Sequence, residues 1–128
     1  MPVSELTEGA VVRVRPDANL EEVADVLAAG EIGALVVGDE PQVSGIVSER
    51  DVARAVAGRL DLRTTRAIDV AHTTLVWCDA TATIAEVATE MMEHYVRHVL
   101  VEEDGRLVGI VSARDLLGAY ATAATDID

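Results

Sequence analysis

The chain has 128 residues, a formal net charge of −13 and 50% hydrophobic residues, with no Phe. That length suits one domain or two very small halves that share a sizeable core, and such acidity is repelled by a nucleic-acid backbone or an anionic membrane, so neither is expected as a partner. A single cysteine, Cys78, excludes an intramolecular disulfide framework. The start MPVSELTEG lacks the charged and apolar regions of a secretory signal, and no apolar run reaches the ~18 residues of a membrane span, so a cytoplasmic protein is expected.

The chain order opens on a β-rich piece, VVRV (11–14). A helix follows over about 19–29, with Leu20, Val23, Ala24 and Leu27 at i, i+3, i+4, i+7 spacing and the capping-box pattern Asn19…Glu22 at its start. ALVVG (34–38) reads as a strand, DEPQ (39–42) as a turn, and VSGIVS (43–48) as the next strand. A second helix is predicted over about 49–58. The polar, Arg-rich stretch 58–67 reads as a connector.

The same series then recurs. LVWC (75–78) is β-rich, and a helix over about 83–94 carries Ile84, Val87, Ala88 and Met91 behind a Thr83…Glu86 cap. HVLVE (98–102), the turn EDGR (103–106) and LVGIVS (107–112) follow, then a helix over about 113–122 and a tail, ATDID, expected to fray. Sliding the chain by 64 positions aligns 11–57 with 75–121 without a gap, with 14 of 47 pairs identical. An ungapped match through strands, turns and helices marks a duplicated β-α-β-β-α unit. The expected fold class is α/β (α+β), with repeats at 1–62 and 63–128 packed through their sheets about a pseudo-twofold axis as one integrated module.

Each copy ends its last strand on the same phrase, GIVSERD (45–51) and GIVSARD (109–115). Ser48-x-x-Asp51 and Ser112-x-x-Asp115 are themselves capping-box patterns: the serine accepts from the backbone N–H three residues on, and the aspartate favours the positive helix end. The same corner is also a hydroxyl and anion site, because a helix N-terminus offers free N–H groups. Both readings stay open on these residues alone.

A tandem β-α-β-β-α with G-h-h-S-x-x-D closing each copy resembles a pair of cystathionine-β-synthase (CBS) domains. The strand starts IGALVV (32–37) and VRHVLV (96–101) add to the resemblance, which covers nearly the whole chain. It implies a cleft with two related sites for an adenosine ligand: AMP, ADP, ATP or S-adenosylmethionine. It further implies that Asp51 or Asp115 holds ribose hydroxyls beside Ser48 or Ser112, and that two pairs associate as a homodimer. Ile32, Gly33 and Ala34 would leave room for a flat base, whereas Arg97 and His98 would offer charge to phosphates; Arg50 and Arg114 either reach phosphate or lie salt-bridged on the surface. Asp115 is the favoured ribose holder, because the strand start of the opposing repeat is small.

The remaining chemistry is sparse. His94 and His98 are four apart but fall in a helix end and a strand, with no carboxylate or cysteine read at ligand spacing, so no metal is expected. Cys78 aligns with Val14 and reads as a small core residue. No Walker loop, G-x-G-x-x-G or Ser/His/Asp set emerges, and the barrel and cysteine loop of inosine monophosphate dehydrogenase, which carries CBS pairs, have no room. Trp77, Met92, Tyr95 and Tyr120 add apolar surface to repeat 2, as a dimer contact would. The expected function is non-catalytic: a nucleotide-binding regulator acting on dimer geometry or an effector protein, with an interaction scaffold carrying vestigial sites as the alternative.

Overall fold

A computed structural model describes residues 1–7 and 11–126. The elements are a 3₁₀ turn, Val3–Leu6, then β1 (Arg13–Val14), α1 (Leu20–Gly30), β2 (Ala34–Val37), β3 (Gly45–Ser48), α2 (Glu49–Ala57), α3 (Ala67–Val70), β4 (Trp77–Asp79), α4 (Ile84–His94), β5 (His98–Glu103), β6 (Arg106–Ser112) and α5 (Ala113–Asp126). The class is α+β, with two three-stranded mixed sheets. Among the described residues no helix is long and apolar enough to cross a membrane.

The chain forms two compact units. The first spans Val11–Leu75. Its sheet runs β1-β2-β3, with β1 parallel to β2 and β2 antiparallel to β3. Val is the commonest residue of these strands, as suits a sheet buried against helices. Leu20, Val23 and Leu27 from α1 meet Leu35, Val37 and Val47 from the strands and Ala55 from α2. Asn19 caps α1 by accepting from the Glu22 N–H at 2.9 Å.

The second unit joins the first residues of the chain to Val76 onward. Its sheet runs β4-β5-β6 in the same pattern of parallel and antiparallel pairs. Val87 and Met91 from α4, Val99, Val101 and Val111 from the sheet, and Leu116 from α5 form its core. Thr83 caps α4 by accepting from the Glu86 N–H at 3.1 Å. The helix α5 continues to Asp126, beyond the expected end near 122; residues 127 and 128 of the tail lie outside the described residues.

Two short segments to which the sequence reading assigned no element, Val3–Leu6 and Ala67–Val70, are structural. In the first unit the Ala67 N–H donates to Ala18 O at 2.7 Å, the Ile68 N–H donates to Pro16 O at 3.1 Å, and Arg66 bridges Asn19. In the second, the Val3 N–H donates to Ala82 O at 2.7 Å, the Ser4 N–H donates to Ala80 O at 3.2 Å, and Pro2 bridges Thr83. Every one of these pairs is related by the same shift of 64 positions. Val3 and Ala67 are both fully buried in the cores they complete. The segment that precedes one repeat's strands thus covers the other repeat's helix entry.

This exchange explains the glycine of the repeated phrase. The linker runs past β3, where Ile46 and His72 exchange both backbone hydrogen bonds, at 3.0 and 2.9 Å. A Cβ on Gly45 would stand 2.8 Å from the Ala71 Cβ and 2.9 Å from His72 O. On Gly109 it would run into the side chain of Thr7, the counterpart of Ala71. A close backbone approach needs a residue without a side chain.

Candidate functional site

The two corners have the same local backbone. β3 ends on Ser48 and α2 begins at once; the Ser48 N–H donates to Asp51 Oδ2 at 2.7 Å, and the Asp51 N–H donates to Ser48 Oγ at 3.3 Å. In the second unit the Ser112 N–H donates to Asp115 Oδ2 at 2.9 Å, and the Asp115 N–H donates to Ser112 Oγ at 3.0 Å. Both are the reciprocal boxes the spacing predicts.

Around each corner the strand start closes in from the side. Ala34 pairs with Ser48 across the sheet, and the Glu49 N–H donates to Gly33 O at 2.9 Å. His98 pairs with Ser112, and the Ala113 N–H donates to Arg97 O at 2.8 Å. Ile32 is half-buried and packs against the first core. Arg50, Arg97 and Arg114 are exposed and form no ion pair among the described residues.

The corners then diverge. Asp51 is the one buried charged residue among those described, 6% exposed, whereas Asp115 is exposed. Asp51 Oδ2 also accepts from Ser48 Oγ at 2.9 Å, and its Oδ1 meets His72 Nε2 at 2.7 Å. A carboxylate only accepts, so Nε2 carries the proton in this contact. Asp115 Oδ1 accepts no hydrogen bond among the described residues. His72 was not legible as a site residue. It lies 21 positions from Asp51, between the connector read at 58–67 and the strand read at 75–78, and no spacing rule links the two.

Two other expectations meet the structure here. Glu90, Glu93 and His94 bring potential ligand atoms within 4.8 Å of one another on α4, so carboxylates do stand at ligand spacing with His94, contrary to the sequence reading. The reason is helical geometry, since positions three and four apart share a face. His94 Nδ1 already contacts Glu90 O at 2.9 Å and Glu90 Oε2 at 3.3 Å.

Cys78 lies half-buried on β4, beside a pocket of about 330 Å³ lined by Trp77, Asp79, Thr81, Glu86 and Glu90 among others. Burial pushes its thiol up to about 11, and the nearby Asp79, Glu90 and Glu102 carboxylates push the same way. The thiolate is the reactive species. Alkylation of Cys78 by iodoacetamide should therefore be slow at neutral pH and rise about tenfold per pH unit from 7 to 9 without levelling, where a free cysteine begins to level near ~8.5. A plateau below pH 9 would contradict a buried, acid-flanked thiol.

Comparison with known proteins matches this geometry. The CBS domain model matches twice, over residues 3–58 and 67–122. The chain is 33% identical over 114 residues to hypoxic response protein 1 of Mycobacterium tuberculosis, covering 88% of this chain and 80% of that one. Among solved structures it is similar to a CBS-domain protein of Agrobacterium tumefaciens, at 35% identity and a TM-score of 0.82 over 94% of this chain and 99% of that one. It is likewise similar to a CBS domain protein of Pyrobaculum aerophilum complexed with AMP, at 36% identity and a TM-score of 0.79 over 95% and 99% of the two chains. With two matched repeats, each built on the same capped corner, the chain belongs to the CBS-domain family as a tandem pair.

Proposed function

We propose that this chain is a non-catalytic regulatory module that takes an adenosine-containing ligand at the Asp115 corner. The observation that carries the reading is an exposed aspartate fixed by its own backbone box at the first turn of α5, whose Oδ1 has no partner among the described residues. A carboxylate held in this way accepts from vicinal hydroxyls without reorganising. Ser112 stands beside it with His98 paired to it across the sheet, and Arg97 and Arg114 lie in the adjoining strand start and first helical turn, where they supply charge for a phosphate. The similarity to an AMP-bound CBS protein supports AMP as the first ligand to test.

The response would pass through dimer geometry or an effector protein. Met92, Tyr95, Leu117 and Tyr120 on and beside α4 and α5 are exposed apolar groups that suit such a contact. A second reading, a scaffold with vestigial sites, is favoured by the closed Asp51 corner alone.

Isothermal titration with AMP, ADP, ATP and S-adenosylmethionine separates the two. The sensor reading expects saturable binding of at least one of them and a raised melting temperature. Asp115→Asn should weaken that binding by about 10- to 100-fold, the range for a hydrogen bond to a charged group. No heat and no thermal shift with any of the four would leave the scaffold.

A further inference from the structure

We infer that His72 sets how many ligands the chain takes: its imidazole stands on Asp51 where a ribose hydroxyl would, so this corner is filled from within and the Asp115 corner alone receives ligand. The inference rests on the adenosine reading above and extends it to stoichiometry. Asp51 Oδ2 is used by the Ser48 N–H and hydroxyl, and Oδ1 by His72 at 2.7 Å, so both oxygens have partners. The carboxylate is 5% exposed while the histidine ring is 59% exposed. The ring thus lies over the acid like a cover, with water on its outer side. A hydroxyl could reach Oδ1 only by displacing it.

The cover is held by the backbone beneath it. His72 exchanges both of its backbone hydrogen bonds with Ile46, and Gly45 lets the linker approach closely enough to do so. Releasing the ring therefore means turning the side chain away from a buried carboxylate that would lose a partner, a cost the incoming ligand must offset. Among the described residues no side chain donates to Asp115 Oδ1, so the second corner shows no counterpart there of the His72 contact.

Titration of the full chain with AMP tests this directly, with circular dichroism confirming that each variant is folded. The natural chain should bind one AMP per chain, His72→Ala two, and His72→Ala with Asp51→Asn one again. His72→Gln, whose amide still donates, should stay at one. In long-range ¹H–¹⁵N spectra of the natural chain, the His72 Nε2 signal should be unmoved at saturating AMP, a reading that needs no variant. Two AMP per chain in the natural protein, one in folded His72→Ala, or displacement of the His72 signal by AMP would each overturn the inference while leaving the adenosine reading intact. Absence of AMP binding in every variant would overturn the AMP reading and the stoichiometry with it.

Discussion

Gly45→Val should lower the stability of the chain by about 2–3 kcal/mol, the upper part of the range for overpacking a tight interior. For a chain of this length that corresponds to a fall in melting temperature of roughly 5–15 °C. The added atoms have nowhere to go. The first of them would already be 2.8 Å from the Ala71 Cβ and 2.9 Å from His72 O, and the second contact is backbone. That backbone is itself fixed, because His72 and Ile46 are doubly hydrogen-bonded. Relief requires the linker to lift from β3, which breaks those bonds and carries the His72 ring off Asp51. Gly109→Val should cost a similar amount. The first obstacle there is the Thr7 Cβ, whose place is set by its own backbone, so no side-chain rotation relieves the overlap. Thermal unfolding of both variants checks this, and a negligible loss in either would contradict a close approach that only glycine allows.

Much of this arrangement was legible in the sequence, for reasons that can be named. The helices α1 and α4 announced themselves through their apolar stripes and through Asn19 and Thr83, whose caps form as the spacing requires. The phrase G-I-V-S-x-x-D located both strand-to-helix corners, since reciprocal capping is a local interaction across three residues. What escaped was non-local. The segments Val3–Leu6 and Ala67–Val70 share no identical residue at the 64-position offset, only a buried apolar position, an acid two places later and an apolar residue after it. Read singly, each is four residues, too short to show a period; their place is dictated by the helix entries they cover. His72 escaped for the same reason. Its partner is brought to it by a linker that doubles back, and no periodicity in one sequence records such a return. In the sequence the two corners differ at the strand starts, Gly33-Ala34 against Arg97-His98, and the structure adds a second difference in the linker at His72.

Asp51→Ala and Asp115→Ala should separate the two corners by stability. Both remove the carboxylate half of a capping box, which costs about 0.5–2 kcal/mol by itself. At Asp115 little else is lost. The side chain is exposed, water can take over the Ser112 N–H, and the expected loss stays at the lower end, about 1 kcal/mol or less. At Asp51 the same change leaves three donors without their acceptor: the Ser48 N–H, the Ser48 hydroxyl and the His72 Nε2–H. The His72 ring is exposed enough to find water, but the Ser48 groups are only partly exposed and sit against a buried site. A buried donor left unsatisfied costs about 1–3 kcal/mol, so Asp51→Ala should lose about 2–4 kcal/mol in all. Asp51→Asn should recover part of that loss, because its amide oxygen can still accept from Ser48 while its NH₂ group meets the His72 ring. Urea denaturation of the four proteins, the natural chain and the three variants, gives the comparison as shifts in midpoint at constant slope. If Asp115→Ala proved as damaging as Asp51→Ala, the two corners would be energetically alike, and a filled corner beside an open one would no longer describe this chain.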